Sequence, residues 1–212
     1  MRMTFLGANH DVTGSRTLLE VNGRYILIDD GMEQGENDFA SAPFPVAPGK
    51  IELVLLTHAH IDHTGMLPLL YKQGFRGAVY ATAETCSLCN IMLKDSAHIQ
   101  ESEAEYQTRK AMRAGKPAVE PLYALTDVEG LLPLFHPCRY GERFPITEGV
   151  DVRFTDIGHL LGSAAIELWL KEGGVERKIV FSGDVGNRNQ PIIKDPQAVD
   201  GADYLVIEST YG

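Results

Sequence analysis

Apolar and polar positions along the chain change period several times, and each change marks an element. Short apolar segments at 3–8, 16–21 and 24–31, separated by turn residues, predict three strands. The last two flank Asn22-Gly23, a strong signal for a two-residue hairpin turn. A polar, proline-rich stretch at 37–50 predicts a loop. Residues 51–57 are almost continuously apolar, as expected for a strand buried on both faces. Residues 66–74 predict a helix closed by Gly74, and 77–82 a further strand. From Ala83 to about Ala114 apolar residues recur at three and four, which predicts one long helix ended by Gly115 and Pro117. Residues 126–135 predict a shorter helix with Thr126 as its N-cap. Four more strands follow at 151–158, 164–170, 177–186 and 202–210. Strand groups interrupted by helices indicate a mixed α/β (α+β) chain with helix-covered sheets.

Composition narrows the picture. The 212 residues are 44% hydrophobic, enough for one core and one large domain. No apolar run is long enough to span a bilayer, and the first residues do not resemble a signal peptide. No membrane association is therefore expected. Three cysteines, Cys86, Cys89 and Cys138, cannot all pair, which favours a reducing, cytoplasmic setting. Cys86 and Cys89 fall in the long predicted helix and read as buried thiols. The formal net charge of −10 argues against nonspecific adhesion to nucleic acid or to anionic membranes. It does not exclude an anionic substrate whose charge is met by bound cations. The chain stops directly after a strong predicted strand, so a fragment or incomplete module is expected, with unfinished sheet edges that invite self-association.

Candidate chemistry concentrates in Leu55–Gly65, LLTHAHIDHTG. Histidines two apart cannot share one face of a helix, where the step is about 200°. In extended chain they do share a face. His58, His60 and Asp62 therefore converge if they follow the strand in a loop at its C-terminal end, and His63 points toward a second focus. One loop serving two neighbouring points suits a pair of metal ions. Imidazole and carboxylate suit zinc first, with manganese or iron as alternatives. Further ligands are needed. His159 in DIGHLLGS and Asp184 in FSGDVG each end a predicted strand beside glycine.

The set THAHIDHTG, DIGHLLGSAAIEL and FSGDVG resembles the metallo-β-lactamase fold hydrolases, in order and spacing. FLGANHDVTGSRTLLEVNGRYILIDDGMEQG, LKDSAHIQESEAEY, PLYALTDVEGLLPLF and IESTYG are similar to the β-CASP branch, the RNA-processing nucleases. His10 and Asp11 depart from that branch, where small or neutral residues are frequent. The resemblance implies an αββα sandwich, of which residues 1–212 would be the N-terminal part, with the β-CASP cap and the C-terminal return segment absent. It implies that His58, His60 and His159 hold a first metal ion, and that Asp62, His63 and Asp184 hold a second, with Asp184 bridging. Asp29 would orient a ligand by hydrogen bonds, and Glu208 would support a ligand or an active-site histidine. His98 reads as helix surface or substrate rim, and His136 as a loop histidine.

The implied activity is hydrolysis of RNA phosphodiester bonds, endo- or exonucleolytic, by hydroxide held between two divalent ions. Asp62 or Asp184 would take the water's proton. The family's leaving-group donor lies in the cap and return portion, so the isolated chain is expected to be weak or inactive. Two other functions compete: a small-molecule metallohydrolase acting on a thioester or lactam, and a non-catalytic truncated binding module.

Overall fold

The computed structural model describes residues 1–35 and 42–210. Strands β1 (Arg2–Gly7), β2 (Arg16–Val21) and β3 (Arg24–Ile28) form an antiparallel meander. Asn22 and Gly23 both have positive φ, 50° and 74°, which is the tight hairpin turn their sequence predicts. β4 (Ile51–Leu55), β5 (Ala78–Thr82) and β6 (Phe135–Cys138) then add in parallel, giving a six-stranded sheet in the order β1-β2-β3-β4-β5-β6. A second sheet of β7 (Phe144–Thr147), β8 (Val150–Asp156), β9 (Ala164–Glu172), β10 (Val175–Phe181) and β11 (Tyr204–Val206) runs in the order β11-β10-β9-β8-β7.

The two sheets pack face to face. Leu19, Ile26, Leu53 and Leu55 of the first meet Val152, Phe154, Ile166 and Leu168 of the second in one apolar layer. The other face of the first sheet, with Leu18, Leu27, Val54 and Val79, is covered by α1 (Ile61–Thr64), α2 (Leu67–Lys72), α3 (Ala83–Arg113) and α4 (Leu125–Leu131). Burial on both faces explains why β4 reads as a continuous apolar run. β8 alternates instead: Val150, Val152 and Phe154 point inward, while Asp151 and Arg153 stay on the outer face. Among the described residues no helix covers that outer face, so three of the four expected layers are visible.

α3 runs for 31 residues from Thr82, whose hydroxyl accepts the Thr85 N–H at 3.2 Å. Thr85, Cys89, Leu93 and Ala97 are buried at intervals of four, the stripe that fastens the helix to the first sheet.

Three expectations need correction. The helix at 126–135 begins earlier, with Ala124 at the N-cap and Thr126 inside it. The cap is closed by Asp127, which accepts the Ala124 N–H at 2.9 Å. His136 lies in strand β6, not in a loop. β7 was also absent from the sequence pattern. β6 and β7 each contain a proline, Pro137 and Pro145, which reads as a loop signal. Both are edge strands, the position in a sheet that tolerates proline because one side of the backbone has no partner strand. Residues 36–41 of the proline-rich stretch and Tyr211-Gly212 of IESTYG lie outside the described residues.

Candidate metal centre

The first sheet delivers one half of the site. β4 ends at Leu55, and Leu56–His60 run on as extended loop before Ile61 starts a single helical turn. His58 and His60 therefore fall on one side, with His58 Nε2 and His60 Nδ1 3.1 Å apart. The alternation stops at His60. Asp62 lies within α1, so it does not join that pair but sits with its neighbour, Oδ2 3.9 Å from His63 Nε2. The loop is clamped from beneath by Gly31, where a Cβ would lie only 1.6 Å from the Asp62 carbonyl oxygen.

The second sheet delivers the other half. His159 follows β8 and Asp184 follows β10. Gly186 lets their loops touch: a Cβ there would lie 1.7 Å from the Gly158 carbonyl oxygen. Ser163 fixes the His159 turn, its hydroxyl accepting the His159 and Leu160 N–H groups at 3.0 and 3.2 Å.

Across the seam the donors meet. His159 Nε2 lies 3.2 Å from His60 Nδ1 and 3.3 Å from Asp184 Oδ2, while His58 Nε2 lies 3.6 Å from that same oxygen. One donor atom from each of His58, His60, His159 and Asp184 fits within a mutual 4.8 Å, a set that could hold a metal ion. The other Asp184 oxygen, Oδ1, faces His63 Nε2 at 3.2 Å. Asp184 thus turns Oδ2 to the His58–His60–His159 set and Oδ1 to His63, beside which Asp62 lies.

Electrostatics favour cation capture at the first focus. Burial, reinforced by the surrounding imidazoles, holds the His58 pKa well below its ordinary value. Burial and His159 lower that of His60. Neutral imidazole is the ligating form. For His63 burial pulls downward too, but Asp29 and Asp184 outweigh it and raise its pKa to about 10. Asp184 is lowered: burial alone would raise it, and the histidines, His63 first, reverse that. Three imidazoles and a shared carboxylate suit a divalent cation of borderline softness.

Asp29 lies beneath the loop, buried and held at a φ of 55°. Its Oδ1 accepts the Thr57 N–H at 2.8 Å, and its Oδ2 contacts Thr57 Oγ1 and His63 Nδ1, each at 2.8 Å. Glu208 secures the Asp184 loop, with Oε1 accepting the Val185 N–H at 2.5 Å. Beside the two foci opens a cleft of about 370 Å³, lined in part by His10, Asp11, Ser15, His63, Asp184 and Glu208. His98 is exposed on α3. Of the basic residues near these motifs, Arg188 and Lys194 are exposed, whereas Arg16 is buried against Asp30 at 2.6 Å and is no part of a rim. Sequence reasoning missed Thr57 and Ser163. Thr57 directly precedes the first histidine, which was its only signal.

Two stacked sheets with histidine and aspartate donors gathered at one edge define the metallo-β-lactamase fold. A subclass B3 metallo-β-lactamase with an active-site glutamic acid superposes on 88% of this chain and 62% of its own, with a TM-score of 0.50 at 17% identity. Residues 18–201 match the metallo-β-lactamase superfamily domain, and the chain belongs to that superfamily. Over its whole length it is 38% identical to ribonuclease TTHA0252 of Thermus thermophilus and 28% identical to the transcription termination factor FttA of Pyrococcus abyssi. It spans 44% and 32% of those relatives, less than half of either. Among the described residues no helix is long and apolar enough to cross a membrane.

Proposed function

We propose that this chain is the N-terminal catalytic part of a metal-dependent RNA hydrolase of the β-CASP branch. The observation that carries the reading is the convergence of His58, His60, His159 and Asp184 across the sheet seam. The substrate class comes from the relative named a ribonuclease, matched along the whole chain. In this reading His58, His60 and His159 hold one divalent ion; Asp62 and His63 hold a second; Asp184 is shared between them. Zinc is the preferred ion, because three imidazoles and a carboxylate match its ordinary donor set. When bound, the cations supply Lewis acidity, making water a better nucleophile and neutralising charge on the phosphoryl oxygens.

The chain's own residues do the rest. Asp184 lines the cleft and Asp62 lies beside His63; these are the carboxylates that would accept the proton of the attacking water. Asp29 fixes the His63 ring, and Glu208 fixes the Asp184 loop. The net charge of −10 leaves phosphate recognition to the cations themselves. The shares of the relatives that the chain spans support reading residues 1–212 as part of a longer nuclease architecture, whose cap and return segment complete the site. The three cysteines are free, which suits a reducing cytoplasm. The outer edges of the two sheets are where a second copy would add a strand.

Metal analysis paired with cleavage of a labelled single-stranded RNA tests the reading, with His60→Ala as control and a chromogenic ester and a lactam as competing substrates. Slow, metal-dependent RNA cleavage that His60→Ala abolishes is expected. Preferential ester or lactam turnover would overturn it in favour of a small-molecule hydrolase. Bound metal with turnover of none of these substrates would leave a non-catalytic binding module.

A further inference from the structure

The proposed ligands leave unexplained why a buried hydroxyl stands between the two foci. Thr57 is 2% exposed, and its Oγ1 has three polar neighbours. Asp29 Oδ2 lies at 2.8 Å, His58 Nδ1 at 3.0 Å and His63 Nδ1, farther off, at 3.3 Å. A hydroxyl owns a single proton. An ionised carboxylate only accepts, so at 2.8 Å the proton must lie on the Thr57 side of the Asp29 contact. The hydroxyl is thereby left with lone pairs facing His58, and the 3.0 Å contact is a bond only if His58 Nδ1 carries hydrogen. The same Asp29 oxygen lies 2.8 Å from His63 Nδ1, which must likewise be a donor.

We infer that Thr57 is a positioning residue, relaying the proton demand of Asp29 so that Nε2 of His58 is the ring nitrogen left to face a cation. Asp29 orients the His63 ring directly, through Nδ1. The result is that Nε2 of each ring faces Asp184, at 3.6 Å for His58 and 3.2 Å for His63. The free imidazole of histidine exchanges its proton between the two nitrogens; Thr57 removes that choice for His58 before any cation arrives. Gly183, next to Asp184, packs closely on this side chain: a Cβ there would lie 2.7 Å from Thr57 Cβ and 3.0 Å from its Oγ1, so glycine leaves the hydroxyl its room.

This inference rests on the cation-binding reading but is tested apart from it. Long-range 1H–15N correlation on the metal-free protein reports the protonated nitrogen of His58. The wild type and Thr57→Ser are expected to carry the proton on Nδ1, and Thr57→Val to lose that preference. Titration with zinc alone should then show first-focus affinity about tenfold weaker in Thr57→Val and restored in Thr57→Ser, the size usual for a lost outer partner of a ligand. A wild-type His58 protonated on Nε2 would sink the relay, and that measurement needs no folded variant. Equal loss in the valine and serine forms would reduce Thr57 to packing and also overturn it. A wild type that binds no zinc while its His58 proton sits on Nδ1 would refute the cation reading and leave the relay standing.

Discussion

The two sheets hold their halves of the site by opposite means. The first sheet is sandwiched, and its half rests on buried polar groups beneath the loop: Asp29, Thr57, and the Arg16–Asp30 pair behind them. The second sheet has no helix on its outer face among the described residues, only the small buried cluster of Ile157, Ala165 and Val180 under Val199, and its half rests on close backbone contact at Gly186 and on Glu208 near the surface. Their buried carboxylates differ in the same sense. Asp30 has one cation, and its Oδ2 is buried without a hydrogen-bond partner. Burial outweighs Arg16 and raises its pKa to about 6. Glu167, on the outer face of the second sheet, is met by Arg153, Lys178 and Thr155, each within 2.7 Å. Burial again pushes upward, but these partners win and lower its pKa to about 2. A buried carboxylate is therefore stabilised as an ion only where donors satisfy both oxygens.

Substitutions sharpen this contrast. The largest effect belongs to Asp184, which in the proposed reading serves both foci. Asp184→Ala should reduce bound metal at both and cut RNA cleavage by at least about a thousandfold, as several kcal/mol of charge stabilisation disappear. His63→Ala provides the comparison, since it strips only the second focus and should leave one equivalent of metal by elemental analysis.

The backbone contacts come next. Gly31→Ala and Gly186→Ala should each destabilise by about 3 kcal/mol or more in urea denaturation, since the added carbon meets fixed backbone rather than a movable side chain. If the first sheet is the stiffer support, Gly186→Ala will spread its damage to His159 and Asp184 while leaving the His58 and His60 resonances in place.

The buried pairs follow. Asp30→Asn strands the Arg16 charge and should cost about 3 kcal/mol, whereas the double change Arg16→Met with Asp30→Leu should cost much less, because it removes the desolvation of both ions. A double variant as unstable as the single one would show that the pair does more than neutralise itself.

The smallest effects are in pH dependence and have opposite sign. Glu167 has a depressed pKa, so its contribution is complete above about 4.5 and is lost as pH falls toward about 2. Asp30 has a raised pKa, so the folded form holds its proton longer. Its contribution therefore declines as pH rises from about 3.8 through about 6. Thermal melts of Glu167→Gln and Asp30→Asn against the wild type should lose these slopes separately.

Much of the fold was legible because burial writes a period into the chain. β4 was readable as a doubly buried strand, the hairpin at Asn22-Gly23 by its dipeptide, and α3 by its buried stripe. β6 and β7 were not, because edge position excused prolines that local rules count against a strand. At the site, His58 and His60 were readable as neighbours from extended alternation. The departure of Asp62 was not, because one helical turn at Ile61–Thr64 is too short to leave a periodic trace.

By itself the sequence determined the layered α/β pattern, the dense run of donors after one strand, and the glycines that let loops come close, since each follows from periodicity or from residue type within a few positions. Only the tertiary structure decided that Asp184 turns one oxygen to His159 and the other to His63, that Arg16 is buried rather than at the rim, and that Thr57 stands between Asp29 and His58. Those are distances between side chains brought together by two sheets stacking. No local pattern encodes them, because burial and hydrogen bonding act through space and are indifferent to separation along the chain.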